Sequence, residues 1–279
     1  MEKMVSKLVV KMTYLLMLML QLAKAAAPVA KFGCPDRCGD ITIPHPFGTR
    51  KDCYKDEWFA IECNKTTNPP RAFISQINVV VLNISVETGM ATVKSPVISF
   101  NCTGREDGGS LSFAGSPFVF SGVGNVFIAV GCDTQAFMSG IEPQLVGREP
   151  TCGNQQSTNV WLQENNLCSG RNCCQASIPS LLQVFKSRLV STNVDQGREA
   201  CKLAILVNET WFASNISDPF ALQYIDYVPA NLDWVMNVSD SDISINCHIY
   251  YNESLISECA CSPGFEGNPY LELGCIGKY

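Results

Sequence analysis

The chain has 279 residues, 46% hydrophobic and 16% charged, with 20 Lys and Arg against 26 Asp and Glu, giving a formal charge of −6. That acidic excess argues against a nucleic-acid partner, because phosphate binding needs a surplus of Lys and Arg. The 15 cysteines all lie at or after Cys34, and so many in an exported chain imply disulfides rather than free thiols.

The N-terminus reads as an export signal. Lys3, Lys7 and Lys11 make a basic start, Met12 to Leu22 form an apolar run, and Ala23-Lys24-Ala25 supplies small residues for cleavage. Residues 1–25 are therefore expected to be a signal peptide. A spanning helix needs roughly 20 apolar residues; a buried helix or an uncleaved anchor is the alternative. No later segment is apolar enough over such a length, so the chain as written is expected to be secreted, with no membrane span. Seven N-x-[ST] sequons, at Asn64, Asn83, Asn101, Asn208, Asn215, Asn237 and Asn252, point to a glycosylated surface.

Residues 26–140 are expected to form a first cysteine-rich β module, pinned at its start by Cys34, Cys38, Cys53 and Cys63. Within it, "CGDITIPHPFG" (Cys38 to Gly48) carries Pro44 and Pro46. Each proline fixes its own φ and pushes the preceding residue toward extended geometry. A rigid rod is expected, presenting His45 and Phe47 either as a binding surface or as a plug under the cysteine cluster. The runs "FISQINVVVLNISV", "MATV", "VISFNC", "SPFVFSG" and "VFIAVGC" then alternate with turn residues and read as strands of a sandwich or barrel. Cys102 and Cys132 fall in this stretch.

Residues 141–246 are expected to form a second β module. Its first part, to about residue 180, reads as loops held by Cys152, Cys168, Cys173 and Cys174. "SLLQVFKSRLVS" is ambiguous between helix and strand, with strand favoured. "CKLAILVN", from Cys201, reads as a buried strand, and "LDWVMNVS" adds another candidate. Residues 247–279 hold Cys247, Cys259, Cys261 and Cys275 and read as a partial EGF-like segment. The odd cysteine is expected there, where a neighbouring repeat is missing. The expected fold class is mainly β: disulfide-rich sandwich or barrel-like modules with long loops and a partial EGF-like C-terminus.

"CPDRCGDITIPHPFG" resembles the start of the galacturonan-binding extracellular domain of plant wall-associated receptor kinases. The likeness continues in "CSGRNCCQASIP", "CKLAILVNETWF", "VPANLDW" and "CACSPGFEGNPYLELGC". His45 stands where that family usually has tyrosine, and "CIGKY" lacks the acidic entry of a calcium-type EGF repeat. The resemblance implies a wall-facing module that binds pectic polygalacturonan. Carboxylated sugars call for Arg or Lys, with aromatic faces for the rings. The window Lys31–Arg71 carries seven basic and six acidic residues, so it repels a polyanion least. Its candidates are Arg37, Arg50, Lys51, Lys55 and Arg71, with Phe47, Tyr54 and Trp58 interleaved.

Catalysis has little support. There are two histidines, His45 and His248, without a recognisable nucleophile partner, and Gly-x-Ser-x-Gly is absent. Paired carboxylates for glycoside cleavage could come only from residues such as Asp36, Asp40, Asp52 and Glu62, which read as turn formers. Neither a metal site nor a cofactor is expected. The alternative reading is a receptor-like interaction protein that pairs with receptor ectodomains or a protein ligand and binds no sugar.

Overall fold

Period-two alternation of apolar residues makes this chain a set of short strands. The computed structural model describes residues 11–14, 28–131, 134–138, 145–146, 168, 173–191, 201–235, 245–249 and 256–278. In chain order the first strands are β1 (Arg37–Cys38), β2 (Ile41–Thr42), β3 (Ile61–Asn64), β4 (Arg71–Ile74), β5 (Val79–Ser85), β6 (Met90–Pro96), β7 (Ile98–Phe100), β8 (Ser110–Ser112), β9 (Phe118–Phe120) and β10 (Asn125–Val130). After them come β11 (Thr134–Met138), β12 (Leu145–Val146), β13 (Cys173–Ser177), β14 (Val184–Ser191) and β15 (Lys202–Asn208). Helix α1 (Glu209–Asn215), β16 (Tyr227–Trp234), β17 (Ile245–Ile249), β18 (Ile256–Cys261), β19 (Phe265–Gly267) and β20 (Cys275–Gly277) complete the order. No helix among the described residues is long and apolar enough to cross a membrane.

Three larger sheets follow from the pairing. The six-stranded sheet runs β3-β4-β5-β6-β16-β9, and two four-stranded sheets run β13-β10-β15-β7 and β12-β11-β14-β8. Strand β16 lies between β6 and β9, and β10 lies between β13 and β15. Strands from both sides of residue 140 therefore share sheets. The boundary expected there does not divide the sheets into separate modules.

Strands β10 and β15 are apolar on both faces and buried on both. Phe127, Ala129, Ala204 and Leu206 face the main core, which they share with β4, β5, β6, β9 and β16. Val126, Ile128, Val130, Leu203, Ile205 and Val207 face a second core with Phe212 and Ile216 of the α1 region. Asn208 caps α1 by accepting from the Trp211 N–H at 2.7 Å.

Several expectations change in detail. "FISQINVVVLNISV" is split into β4 and β5 by a turn in which Asn78 has φ 51, a conformation Asn tolerates well. "SLLQVFKSRLVS" does contain a strand, β14. Residues 173–177, expected as loop, form the β13 edge of a four-stranded sheet.

Five disulfides lie among the described residues: Cys34–Cys53, Cys38–Cys63, Cys102–Cys201, Cys168–Cys173 and Cys261–Cys275. Cys259 is also disulfide-bonded and sits opposite Cys247 in the β17–β18 hairpin. Cys132 and Cys152 fall outside the described residues. Among the described residues the cysteine without a partner is Cys174, buried in β13 and outside the EGF-like segment. Successive strand residues point to opposite faces, so Cys173 turns into the second core and Cys174 into the main one. Its neighbour's disulfide is therefore out of reach. Burial pushes the Cys174 thiol up to about 11.

The "PHPF" stretch is a turn, not a rod. The His45–Pro46 bond is cis, and the Phe47 N–H donates to the Pro44 carbonyl at 2.8 Å, the closure of a type VI turn. The turn drives Phe47 into the core, where it is 1% exposed. There it meets Phe59 edge-on at 5.2 Å, stacks on Phe118 at 6.0 Å, and meets Trp234 edge-on at 5.3 Å.

Two outcomes are expected. Phe47→Ala should cost about 3–5 kcal/mol of stability, read as a lower denaturant midpoint; an unchanged midpoint would contradict its packing role. Iodoacetamide should modify Cys174 only after unfolding, read by peptide mass; labelling of the native protein would contradict its burial.

Candidate functional site

The turn that buries Phe47 also fixes the loop beyond it. The Lys55 N–H donates to the Pro46 carbonyl at 2.9 Å, and the Gly48 N–H to the Phe59 carbonyl at 3.2 Å. A Cβ on Gly48 would stand 2.6 Å from the Cys53 carbonyl carbon, so only glycine allows this approach. Cys34–Cys53 ties the loop to the preceding segment. Asp56 then caps a single 3₁₀ turn, Glu57–Phe59, accepting from the Trp58 N–H at 2.9 Å.

This loop forms one wall of an open cleft of about 400 Å³. Lys55, Asp56 and Trp58 line that wall; Ser116, Pro117 and Val235 are among the residues lining the rest. Trp58 is half-buried with its body against the main core. The Ser116 hydroxyl is already committed, donating to the Phe113 carbonyl at 2.6 Å and accepting from the Phe118 N–H at 3.1 Å. The cleft thus offers a cation, a carboxylate and an indole face over a fixed floor.

The other candidates are distributed around it. Tyr54 donates to both Glu57 carboxylate oxygens at 3.0 and 3.1 Å. Arg50 and Lys51 are exposed on the loop closed by Cys34–Cys53, with Arg50 donating to the Gly33 carbonyl. Arg37 and Arg71 are exposed beside the Cys38–Cys63 bridge; Arg37 donates to the Asp40 carbonyl at 3.3 Å, and Arg71 pairs with Asn64 across β3–β4. Phe47 cannot stack on a ligand, because it lies wholly inside the core. The walls at Ser116, Pro117 and Val235 carry no sequence signal; they come from chain remote from the loop.

His45, at the hub of the turn, is 6% exposed. Its Nδ1–H donates to the Cys53 carbonyl at 3.2 Å. Its own carbonyl accepts from the Asn268 amide at 2.7 Å, and Asn268 also donates to Val29 at 2.8 Å. The "GNPY" element of the C-terminal segment is thereby bolted to the N-terminal turn. Tyr270 adds a ring contact with Trp234 at 5.8 Å, and its hydroxyl accepts from the Cys259 N–H at 3.3 Å.

Of the sequons, Asn83, Asn101 and Asn215 are exposed, while Asn64 and Asn208 are half-buried. Asn237 and Asn252 lie outside the described residues.

The described chain is a disulfide-stapled, mainly β structure with an open cleft walled in part by Lys55, Asp56 and Trp58. Residues 34–95 match the family model for the wall-associated receptor kinase galacturonan-binding domain, and residues 165–243 match the wall-associated kinase model. Among curated relatives in Arabidopsis thaliana, wall-associated receptor kinase-like 3 is 32% identical over 87% of this chain and 38% of its own length. Wall-associated receptor kinase-like 5 is 33% identical with the same coverages, and wall-associated receptor kinase-like 6 is 30% identical over 87% of this chain and 44% of its own length. The chain belongs to the wall-associated receptor kinase family and carries domains of its extracellular region. It spans 38–44% of the length of these relatives, and no kinase domain is evident in its 279 residues. No solved structure matches it.

Burial holds the His45 pKa below its ordinary value of 6.5, with repulsion from Lys31 and Lys55 adding to the effect. The unfolded chain therefore takes up this proton at higher pH than the folded one, and stability falls as pH drops from about 7 toward 5. His45→Tyr should flatten that part of the melting-temperature profile. An equal fall in both proteins would remove His45 as the cause.

Proposed function

We propose that this chain is a non-catalytic extracellular module that binds pectic polygalacturonan with its N-terminal segment. The observation that supports this most directly is the meeting of Lys55 and half-buried Trp58 in one open cleft, inside the segment that matches the galacturonan-binding family model. A galacturonate ring has a carboxylate and an apolar C–H face. The Lys55 ammonium attracts the first, and the Trp58 indole takes the second. Asp56 accepts from ring hydroxyls.

Arg50 and Lys51 on the adjoining loop extend the cationic strip. The described bonds of the Arg37 and Arg50 guanidiniums go to backbone carbonyls, not to carboxylates, so their charge is not neutralised through them. A polymer that touches several such positions gains avidity from individually weak contacts. No bond is broken in this reading. The domain types also favour a location outside the cell, at the wall.

The test is retention on immobilised polygalacturonate. Binding should weaken as salt rises, because exposed charges are screened. Lys55→Ala and Trp58→Ala should each weaken it about tenfold, and Arg71→Ala, outside the cleft, by less. Retention unchanged in both cleft variants would sink the site; capture by receptor ectodomains without any retention on pectate would sink the function.

A further inference from the structure

We propose that a second cleft, where β6 ends and β16 begins, binds a neutral saccharide. It has a volume of about 350 Å³ and is lined by residues that include Pro96, Val97, Arg105, Glu106, Asp226 and Tyr227. None of these lies in the window that supplies the polygalacturonate candidates.

Tyr227 opens β16 directly opposite Pro96. Its side chain is large and apolar yet the residue is 53% exposed, and the Lys94 ammonium lies 5.7 Å from its ring centre. A half-exposed ring held in place in a concave site is the usual platform for the apolar face of a sugar.

The opposite wall is pre-ordered. Cys102–Cys201 anchors it. The Ser99 hydroxyl donates to the Glu106 carbonyl at 2.9 Å, the Gly108 N–H donates to the Ser99 carbonyl at 2.8 Å, and Asp107 accepts from the Asn101 N–H at 2.7 Å. Arg105 crosses from this wall to the next. Its Nη1 donates to the Gln223 and Ile225 carbonyls at 3.1 and 2.9 Å and meets Asp226 at 3.4 Å, while Nη2 donates to Val97 at 3.2 Å. A site built before its ligand arrives loses little entropy on binding.

Two features set the ligand class. The Arg105 Nε is buried and has no hydrogen-bond partner. A buried donor left unmet is costly, and a shift of the guanidinium toward the cleft that Arg105 lines would bring this donor to a ligand oxygen. Among the named lining side chains, two carboxylates accompany one guanidinium, whose other nitrogens already serve Asp226 and three carbonyls. With the Lys94 ammonium beside the Tyr227 ring the charges balance, so the cleft offers a uronate no net attraction, while its carboxylates accept readily from sugar hydroxyls. The chemistry is that of an uncharged ring with hydroxyls on its rim. Such a ring could come from a wall oligosaccharide in solution or from the protein's own glycan at Asn101, which lies on the same loop.

The experiment is saturation-transfer NMR on the full chain in two forms, glycosylated and Asn101→Gln, with cellotetraose, galactotetraose, arabinotetraose and chitobiose as probes. At least one probe should bind the Asn101→Gln form. Tyr227→Ala should abolish the signal, and Glu106→Gln should weaken binding about tenfold. Both residues are exposed, so folding should survive. Added polygalacturonate should not displace the probe. Binding to both forms supports a ligand from solution; binding to the Asn101→Gln form alone supports the protein's own glycan as occupant. No binding by any probe, binding that persists in Tyr227→Ala, or displacement by polygalacturonate would overturn the proposal.

Discussion

The contact on which the structure depends is the burial of Phe47 against Trp234, Phe59 and Phe118. It joins the N-terminal turn and the 3₁₀ turn after it to two remote segments, β9 and the end of β16. Aromatic rings at these separations and angles contribute both area and favourable edge-to-face electrostatics. The two N-terminal disulfides alone would give a small domain with little core of its own. Inserting one ring into the neighbouring sheet makes that domain part of a larger core.

From that anchor the first cleft follows. The Lys55 backbone hangs from Pro46, and Phe59 lies under the cleft floor while touching Phe47. The exposed cation and half-buried indole are therefore displayed on a backbone tied to the buried aromatic cluster. Pre-ordering of this kind favours binding by lowering the entropy lost when a ligand arrives. The C-terminal segment is coupled to the same hub, since Asn268 holds the His45 carbonyl and Tyr270 leans on Trp234. The cleft and the C-terminal segment thus share one set of packed rings.

The two clefts divide by charge. The N-terminal window is nearly neutral in a chain whose remainder is strongly acidic, and its cleft carries an exposed lysine. The second cleft sits in the acidic remainder and spends its arginine on carbonyls. The two clefts differ in chemistry because their lining comes from different parts of the chain: the loop around Lys55 and Trp58 for the first, and the Arg105 loop with the ends of β6 and β16 for the second.

Residue order by itself determined the mainly β character, the presence of disulfides and the cationic, aromatic composition of the first loop, because period-two patterning and residue chemistry are local properties. The likeness in "CPDRCGDITIPHPFG" and "GNPY" likewise led to the right family. The tertiary structure decided what depends on partners far along the chain. It put β16 between β6 and β9, so that no sheet boundary falls at residue 140. It turned Phe47 inward from the list of ligand contacts. It left Cys174 unpaired among the described residues, since adjacent strand residues face opposite cores. It also supplied the cleft walls at Pro117 and Val235 and the Arg105 clamp. Strand partnership is settled by long-range packing, and local alternation marks which face of a strand is buried without naming the strand it packs against.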